Sequence, residues 1–253
     1  MSGENQKGFT IIEVSMFLGI LALLMVGLIS GITLSIQRQR YTDSIQSTHS
    51  FLQRQFNETL NVINNRNTET PCPSGIDNRG SSNCFILGKL IVFDVGGNQI
   101  AAQPIISTRN ATDVEVENAA DEEEVLSFYQ PQVQQDANEE TYRIPWDARI
   151  TSANFIDSFE LVGDRVEGEP GEAIEAIAIV RSPKSGAVFV YGVPDPQSGP
   201  LIDQLTADHL DPSQICIASQ DIIGVAPAAI TFMGIGTQDA VLAQVDGTEG
   251  RCS

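Results

Sequence analysis

Positive charge is scarce in this chain. Its 253 residues hold 14 Lys and Arg against 33 Asp and Glu, a formal net charge of -19. Such a surface repels polyanions, which argues against a nucleic-acid grip or adsorption to anionic lipid through bulk charge. Histidine is almost absent: His49 and His209 are the only two, and neither sits in an H-E-x-x-H array. The chain also lacks a G-x-S-x-G elbow, a Walker A sequence and a G-x-G-x-x-G turn, so no enzyme class is indicated and no cofactor is implied. The four cysteines have no C-x2-C spacing of the kind zinc sites use.

Charge is missing altogether from one stretch. Val14 to Ile36 reads VSMFLGILALLMVGLISGITLSI, 23 residues without an ionisable group. About 20 apolar residues suffice for an α-helix to cross a hydrocarbon core of ~30 Å. A soluble core helix keeps a polar stripe, whereas only Ser15, Ser30, Thr33 and Ser35 interrupt this one. The run exceeds the 7–15 residues of a cleavable signal peptide's apolar core, and no A-x-A site follows it between Ile32 and Arg40. It reads as a retained membrane span.

Charge also divides the chain. Residues 1–66 balance at +1 and the remainder at -20, so the acidity belongs to the C-terminal part. Between Ile32 and Thr70 there is neither glycine nor proline, and Ile45, Leu52, Phe56, Leu60 and Ile63 recur at helical spacing. The membrane helix is therefore expected to continue as an amphipathic stem to about Asn65, whose apolar stripe must be covered by the C-terminal part.

That part opens with a turn-rich stretch, Asn64 to Asn83, followed by short apolar or alternating runs. These are Phe85 to Phe93, Gln99 to Ser107, Val125 to Tyr129, Tyr142 to Trp146, Ser158 to Val162, Ala173 to Arg181, Ala187 to Val193, Gln214 to Ala218, Ala229 to Met233 and Val241 to Val245. Turn signals separate them, which predicts a mainly antiparallel β head. Near 110–140 the segments EVENAADEEEV and QPQVQQDANEE read as a long, exposed, disordered-like acidic insertion. Calcium would need a D-x-D-x-D-G type of alternation, which is absent, so no metal site is assigned.

An ionisable residue at the mouth of an apolar helix is costly, which marks Glu13 as a functional candidate. It does not stand alone. Lys7-Gly8-Phe9-Thr10-Ile11-Ile12-Glu13-Val14, with a short polar leader before it and the apolar helix after it, closely resembles the type III signal of type IV pilins and pseudopilins. The resemblance covers about the first 40 residues. It implies cleavage between Gly8 and Phe9 by a membrane prepilin peptidase, N-methylation of Phe9, and pairing of Glu13 with the Phe9 amine of a neighbouring subunit. Two such charges in a dry interior can set axial register without adding net stability. It further implies an α+β pilin-like fold, with residues 1–8 a cytoplasmic leader, 9–36 a transmembrane helix, 37–66 a stem and 67–253 an extracytoplasmic head. The implied partners are other pilin subunits, the peptidase, an inner-membrane assembly platform and the membrane itself. The helix-breaking proline that many major pilins carry midway along the span is missing. Gly27 and Gly31 offer either flexibility or the close helix approach of a G-x-x-x-G pair.

Cys72, Cys84, Cys216 and Cys252 all follow the span, and an even number on an oxidising side suggests disulfides. Three connectivities are open. A Cys216–Cys252 bridge resembles the C-terminal disulfide loop of many pilins, and Cys72 with Cys84 would then close the loop after the stem.

Overall fold

The computed structural model describes residues 10–61, 86–109, 111–134, 139–162, 165–219, 225–236, 241–244 and 252. Helix α1 spans Ile11–Leu60. The head adds β1 (Ile86–Phe93), β2 (Gln99–Ser107), α2 (Asp113–Asn118), α3 (Glu122–Tyr129), β3 (Pro131–Val133) and β4 (Glu140–Arg143). There follow β5 (Ala148–Val162), β6 (Arg165–Ala173), β7 (Ala176–Arg181), β8 (Val188–Val193), β9 (Ser213–Ser219), β10 (Ala228–Phe232), β11 (Ile235–Gly236) and β12 (Val241–Gln244). The α+β class expected from the pattern is present, with one long apolar helix and antiparallel sheets.

Seven strands form one sheet in the order β11-β8-β7-β1-β2-β3, with β4 also on β2; five form a second, β12-β10-β9-β5-β6. All ladders among the described residues are antiparallel. Short connections between sequence neighbours, such as the five-residue turn from β1 to β2, permit that pairing, whereas parallel neighbours need long crossovers.

The chain divides into two compact units, residues 1–40 and 41–253. From Tyr41 onward the helix belongs to the compact unit that contains the head. The reason is burial. Tyr41, Ile45, Phe51, Leu52 and Phe56 lie in one apolar cluster with Ile91, Ile100, Ile177 and Ile179 of the first sheet and Ile150, Ile215, Ile230 and Phe232 of the second. Their spacing puts them on one face of the helix, and Ile45, Leu52 and Phe56 are wholly buried.

The other face of the first sheet is covered as well. Ala176, Ala178 and Val180 pack with Leu126 of α3 and with Leu201 and Leu205 of a short 3-10 turn. β7 and β8 are therefore enclosed on both sides, which explains their nearly continuous apolar sequences, AIAIVR and VFVYGV. β1 and β7 approach closely at Gly88, where a Cβ would lie 1.9 Å from the Ile179 carbonyl oxygen. No other residue fits there without backbone movement.

The segment 110–140 departs from its reading as a disordered-like insertion. Its described residues form α2, α3 and β3, and Val125 and Leu126 are fully buried. Local capping decides this. Thr112 and Glu115 form a capping box at α2, Asp121 caps α3 by accepting from Glu124 N, and three glutamates fill the first turn of α3. The same feature overturns the strand expected at Val125 to Tyr129, which is helical. Tyr142 to Trp146 is corrected too: the strand ends at Arg143, and Trp146 lies in a turn.

That turn carries the chain from one sheet to the other. Ala148 N donates to Pro145 O at 3.5 Å, and both central residues are left-handed, Trp146 at φ 60° and Asp147 at φ 54°. A hairpin-type turn of this hand normally uses Asn and Gly. A tryptophan there costs on the order of 1–3 kcal/mol.

Candidate functional site

The residues singled out at the N-terminus begin with Gly8 and Phe9, which lie outside the described residues. Glu13 is described. Its carboxylate Oε2 accepts from the Thr10 backbone N and from Thr10 Oγ1, each at 3.0 Å, while Glu13 N donates to Thr10 Oγ1 at 3.3 Å. These reciprocal bonds make a capping box at the start of α1. Val14 N donates to the Thr10 carbonyl at 3.2 Å, the first helical bond beyond it. Thr10 received no role in the sequence reading, although T-x-x-E ahead of an apolar run was a legible signal for one. Within a single chain, Glu13 thus has a local partner and is not left bare in the apolar segment.

Beyond Glu13 the apolar part of the helix is exposed among the described residues. The apolar stretch has a mean hydropathy of 2.5 and none of it is buried. Exposed side chains run from Ile11 to Ile36, among them Phe17, Leu23, Met25 and Leu28. The helix is long and apolar enough to cross a membrane. Two of its polar interruptions are satisfied internally: Ser15 Oγ donates to the Ile12 carbonyl at 3.0 Å and Thr33 Oγ1 to the Ile29 carbonyl at 2.9 Å. Among the described residues, no atom lies within 4 Å of where a Cβ of Gly27 or Gly31 would stand.

The stem meets the head through polar contacts that periodicity did not reveal. Arg54 pairs with Glu140 on β4, Gln55 Nε2 donates to the same carboxylate at 2.9 Å, and Lys89 of β1 bonds Gln55 Oε1 at 2.5 Å and pairs with Glu58. Tyr142 stacks on Phe51 with ring centroids 4.5 Å apart, and its hydroxyl donates to Ser47 Oγ at 2.8 Å. Half-exposed ion pairs such as Arg54–Glu140 contribute little stability, so their effect is to fix the rotation of the helix against β1 and β4. Near the start of the stem, the buried Tyr41 hydroxyl donates to the Ile217 carbonyl at 2.7 Å and accepts from Ala228 N at 2.9 Å. Burial raises its pKa above the usual phenol value, and the Ala228 N–H only partly offsets this.

Cys216 and Cys252 are joined by a disulfide across 36 residues, Cα to Cα 5.4 Å. It ties the chain end to β9 in the middle of the second sheet. Cys72 and Cys84 lie outside the described residues. His209 Nδ1 is 2.7 Å from the Gln204 carbonyl and its ring stacks on Phe155; His49 is half-buried on the stem. Among the described residues no group of three or more His, Cys, Asp or Glu side chains is placed to hold a metal ion. A shallow groove of about 490 Å³ between residues 130–133 and 196–202 is lined by Gln, Pro, Gly and aliphatic side chains, with no ionisable group. What the described geometry supplies is an uncovered apolar helix whose continuation is locked into a β head. The chain matches no protein-family model, no curated protein and no solved structure.

Proposed function

We propose that the chain is a structural subunit of a type IV pilus or of a type II secretion-like pseudopilus, and that it serves as a minor component. In this reading the protein crosses the inner membrane once with its acidic head outside. Prepilin peptidase removes residues 1–8, Phe9 is methylated, and the assembly platform draws the subunit into a filament. The observation that carries the proposal is the conjunction of the K-G-F-T-I-I-E-V string with an apolar helix that is not buried among the described residues. Filament packing supplies the missing cover: apolar helices of successive subunits bury one another once they leave lipid.

Glu13 has two partners in this scheme. Before assembly its carboxylate caps the helix through Thr10. In the filament the Phe9 amine of a neighbour would compete for it. An unpaired charge in a dry interior is strongly unfavourable, so there the carboxylate and a neighbour's amine would be held together.

The test is the N-terminus of the protein recovered from membranes, read by mass spectrometry. A methylated Phe9 is the expected result. An intact Met1 or Ser2 refutes the proposal and leaves a single-pass anchored binding or adhesion protein as the better reading; a cut beyond Ile36 refutes the proposal and the anchor together.

A further inference from the structure

Among the described residues beyond Ile36, the exposed large apolar side chains are Val95 at 47%, Trp146 at 53% and Val114 at 65%. They fall into two groups of unlike charge. Val95 and Trp146 share one lip of the head, because their turns are fastened together. Gly96 N donates to Ile150 O at 2.7 Å, Ile150 N to Gly97 O at 3.0 Å, and Ile144 N to Asn98 O at 2.8 Å. The indole is held out by a left-handed backbone that disfavours large side chains, the kind of strain that marks functional positions. Exposed Arg143 and Arg149 flank that turn, and neither is in an ion pair among the described residues.

Val114 stands on α2, a helix of six residues that buries none of them. At 3.6 residues per turn, Asp113, Val114, Glu117 and Asn118 fall within an arc of about 140°. Asp113 and Glu117 are exposed and in no ion pair among the described residues, whereas Glu115 is taken by Arg109. This face is apolar at one residue and anionic beside it.

The two groups lie at opposite ends of the first sheet. β2 starts at Gln99 beside the lip and ends ~26 Å away at Ser107, after which the chain enters α2. A second route agrees. Lys184 Nζ donates to the Ala119 carbonyl at 3.1 Å and Ser182 Oγ to Glu122 Oε2 at 2.5 Å, which fixes the junction of α2 and α3. Ser182 and Lys184 follow the end of β7 that pairs with the start of β1, at Val180 and Gly88, away from the lip. One molecule therefore cannot bring the two groups together.

We propose that the lip of one copy receives α2 of the next, Trp146 and Val95 against Val114, with Arg143 and Arg149 facing Asp113 and Glu117. The occupant is a second copy because both halves of the match, apolar and charged, are on this chain. Asp94 and Asp147 bring the lip only to zero, while the part of the chain beyond residue 66 stands at -20, so an acidic helix is not repelled there. Since the two surfaces differ and sit at opposite ends of one sheet, the contact is head-to-tail and repeats from copy to copy. It deepens the filament reading and rests on it for the setting in which copies meet, but every residue that makes it belongs to the head.

Arg149→Cys on the lip and Asn118→Cys on α2 are made separately in the full chain, then mixed in detergent at high concentration under mild oxidation. Expected is a crosslinked dimer at least threefold above that of either variant alone. Arg143→Glu in the lip partner should cut that yield severalfold, and Glu117→Lys in the α2 partner should restore it. Equal yields from the mixture and from one variant alone mean contact between like faces or random collision, and overturn the proposal. So does a charge reversal without effect. Absence of the crosslink, from variants that keep the Tm of the unmodified protein, overturns the contact and leaves the filament reading standing, which the mature N-terminus tests separately.

Discussion

Phe56→Ala separates the two halves of α1 by their physical surroundings. Phe56 is wholly buried in the cluster that includes Ile45, Leu52, Ile177 and Phe232, so truncation leaves a cavity roofed by helix and both sheets. Removing such a ring costs about 3–5 kcal/mol. For a unit of the size of residues 41–253, each kcal/mol lowers Tm by about 2–4 °C, so a fall of about 6–20 °C is expected. Leu24→Ala is the matched control. Leu24 is 59% exposed on the apolar part of the same helix, so its truncation removes few protein contacts and should shift Tm by less than about 2 °C. The assay is thermal unfolding of the full chain in detergent, followed by Trp146 fluorescence, which reports on the head. Equal shifts for the two variants would mean that the stem does not help to fold the head, and the assignment of its buried face would be wrong.

Gln at position 13 can still accept from Thr10 and keeps the helix start, whereas Val cannot, yet Glu13→Gln and Glu13→Val should both remain membrane-inserted and fail to enter filaments. Normal incorporation of Glu13→Gln, measured in sheared filament or pseudopilus fractions, refutes the charge pairing. Cys216→Ser opens a loop of 36 residues and should cost about 4 kcal/mol in the chain-entropy model, matched by reduction of the native protein with dithiothreitol. An unfolding free energy from denaturant titration that falls by less than about 1 kcal/mol would show that the bridge does not restrain the unfolded chain. Stability should fall as pH rises above about 10. Burial raises the pKa of Tyr41, and burial with the charges of Glu122, Glu123 and Asp121 raises that of Tyr191. The unfolded chain therefore releases these phenol protons first, so above that pH the folded state binds more protons and loses ground. The check is the denaturant midpoint of wild type and of Tyr191→Phe at pH 8 and pH 11; an equal loss in both contradicts the account.

Several elements could be read from local pattern because local physics alone forms them. β2, Gln99–Ser107, has the bounds its apolar run indicates, and β1 differs by one residue. β6 was not legible. RVEGEPGEA carries three glutamates, two glycines and a proline, the composition of a loop, yet it forms an edge strand paired only to β5. Edge position is what makes this tolerable, since Pro170 need not donate to a second neighbour. The first half of β5 was missed as well, because ARITSANFID alternates too weakly to announce a strand; its partner β9 decides it. Tyr41 was unreadable for a different reason. Its hydroxyl partners are main-chain groups 176 and 187 residues away, and separations of that size leave no trace in local spacing.

The sequence by itself determined that one end of the chain is a charge-free helix of membrane length and that the acidity lies entirely in the rest. Both are sums over residue types and need no knowledge of contacts. It also carried the T-x-x-E start of the helix and the G-F-T-I-I-E string around it. Only the tertiary structure decided where the helix ceases to be bare, which cysteine pairs with Cys216, and that Trp146 stands in a strained turn beside Val95. Those outcomes depend on which surfaces meet across the chain. Burial of the Tyr41–Thr59 face arises from two sheets closing over it, and that closure exists only once strands distant in sequence have paired.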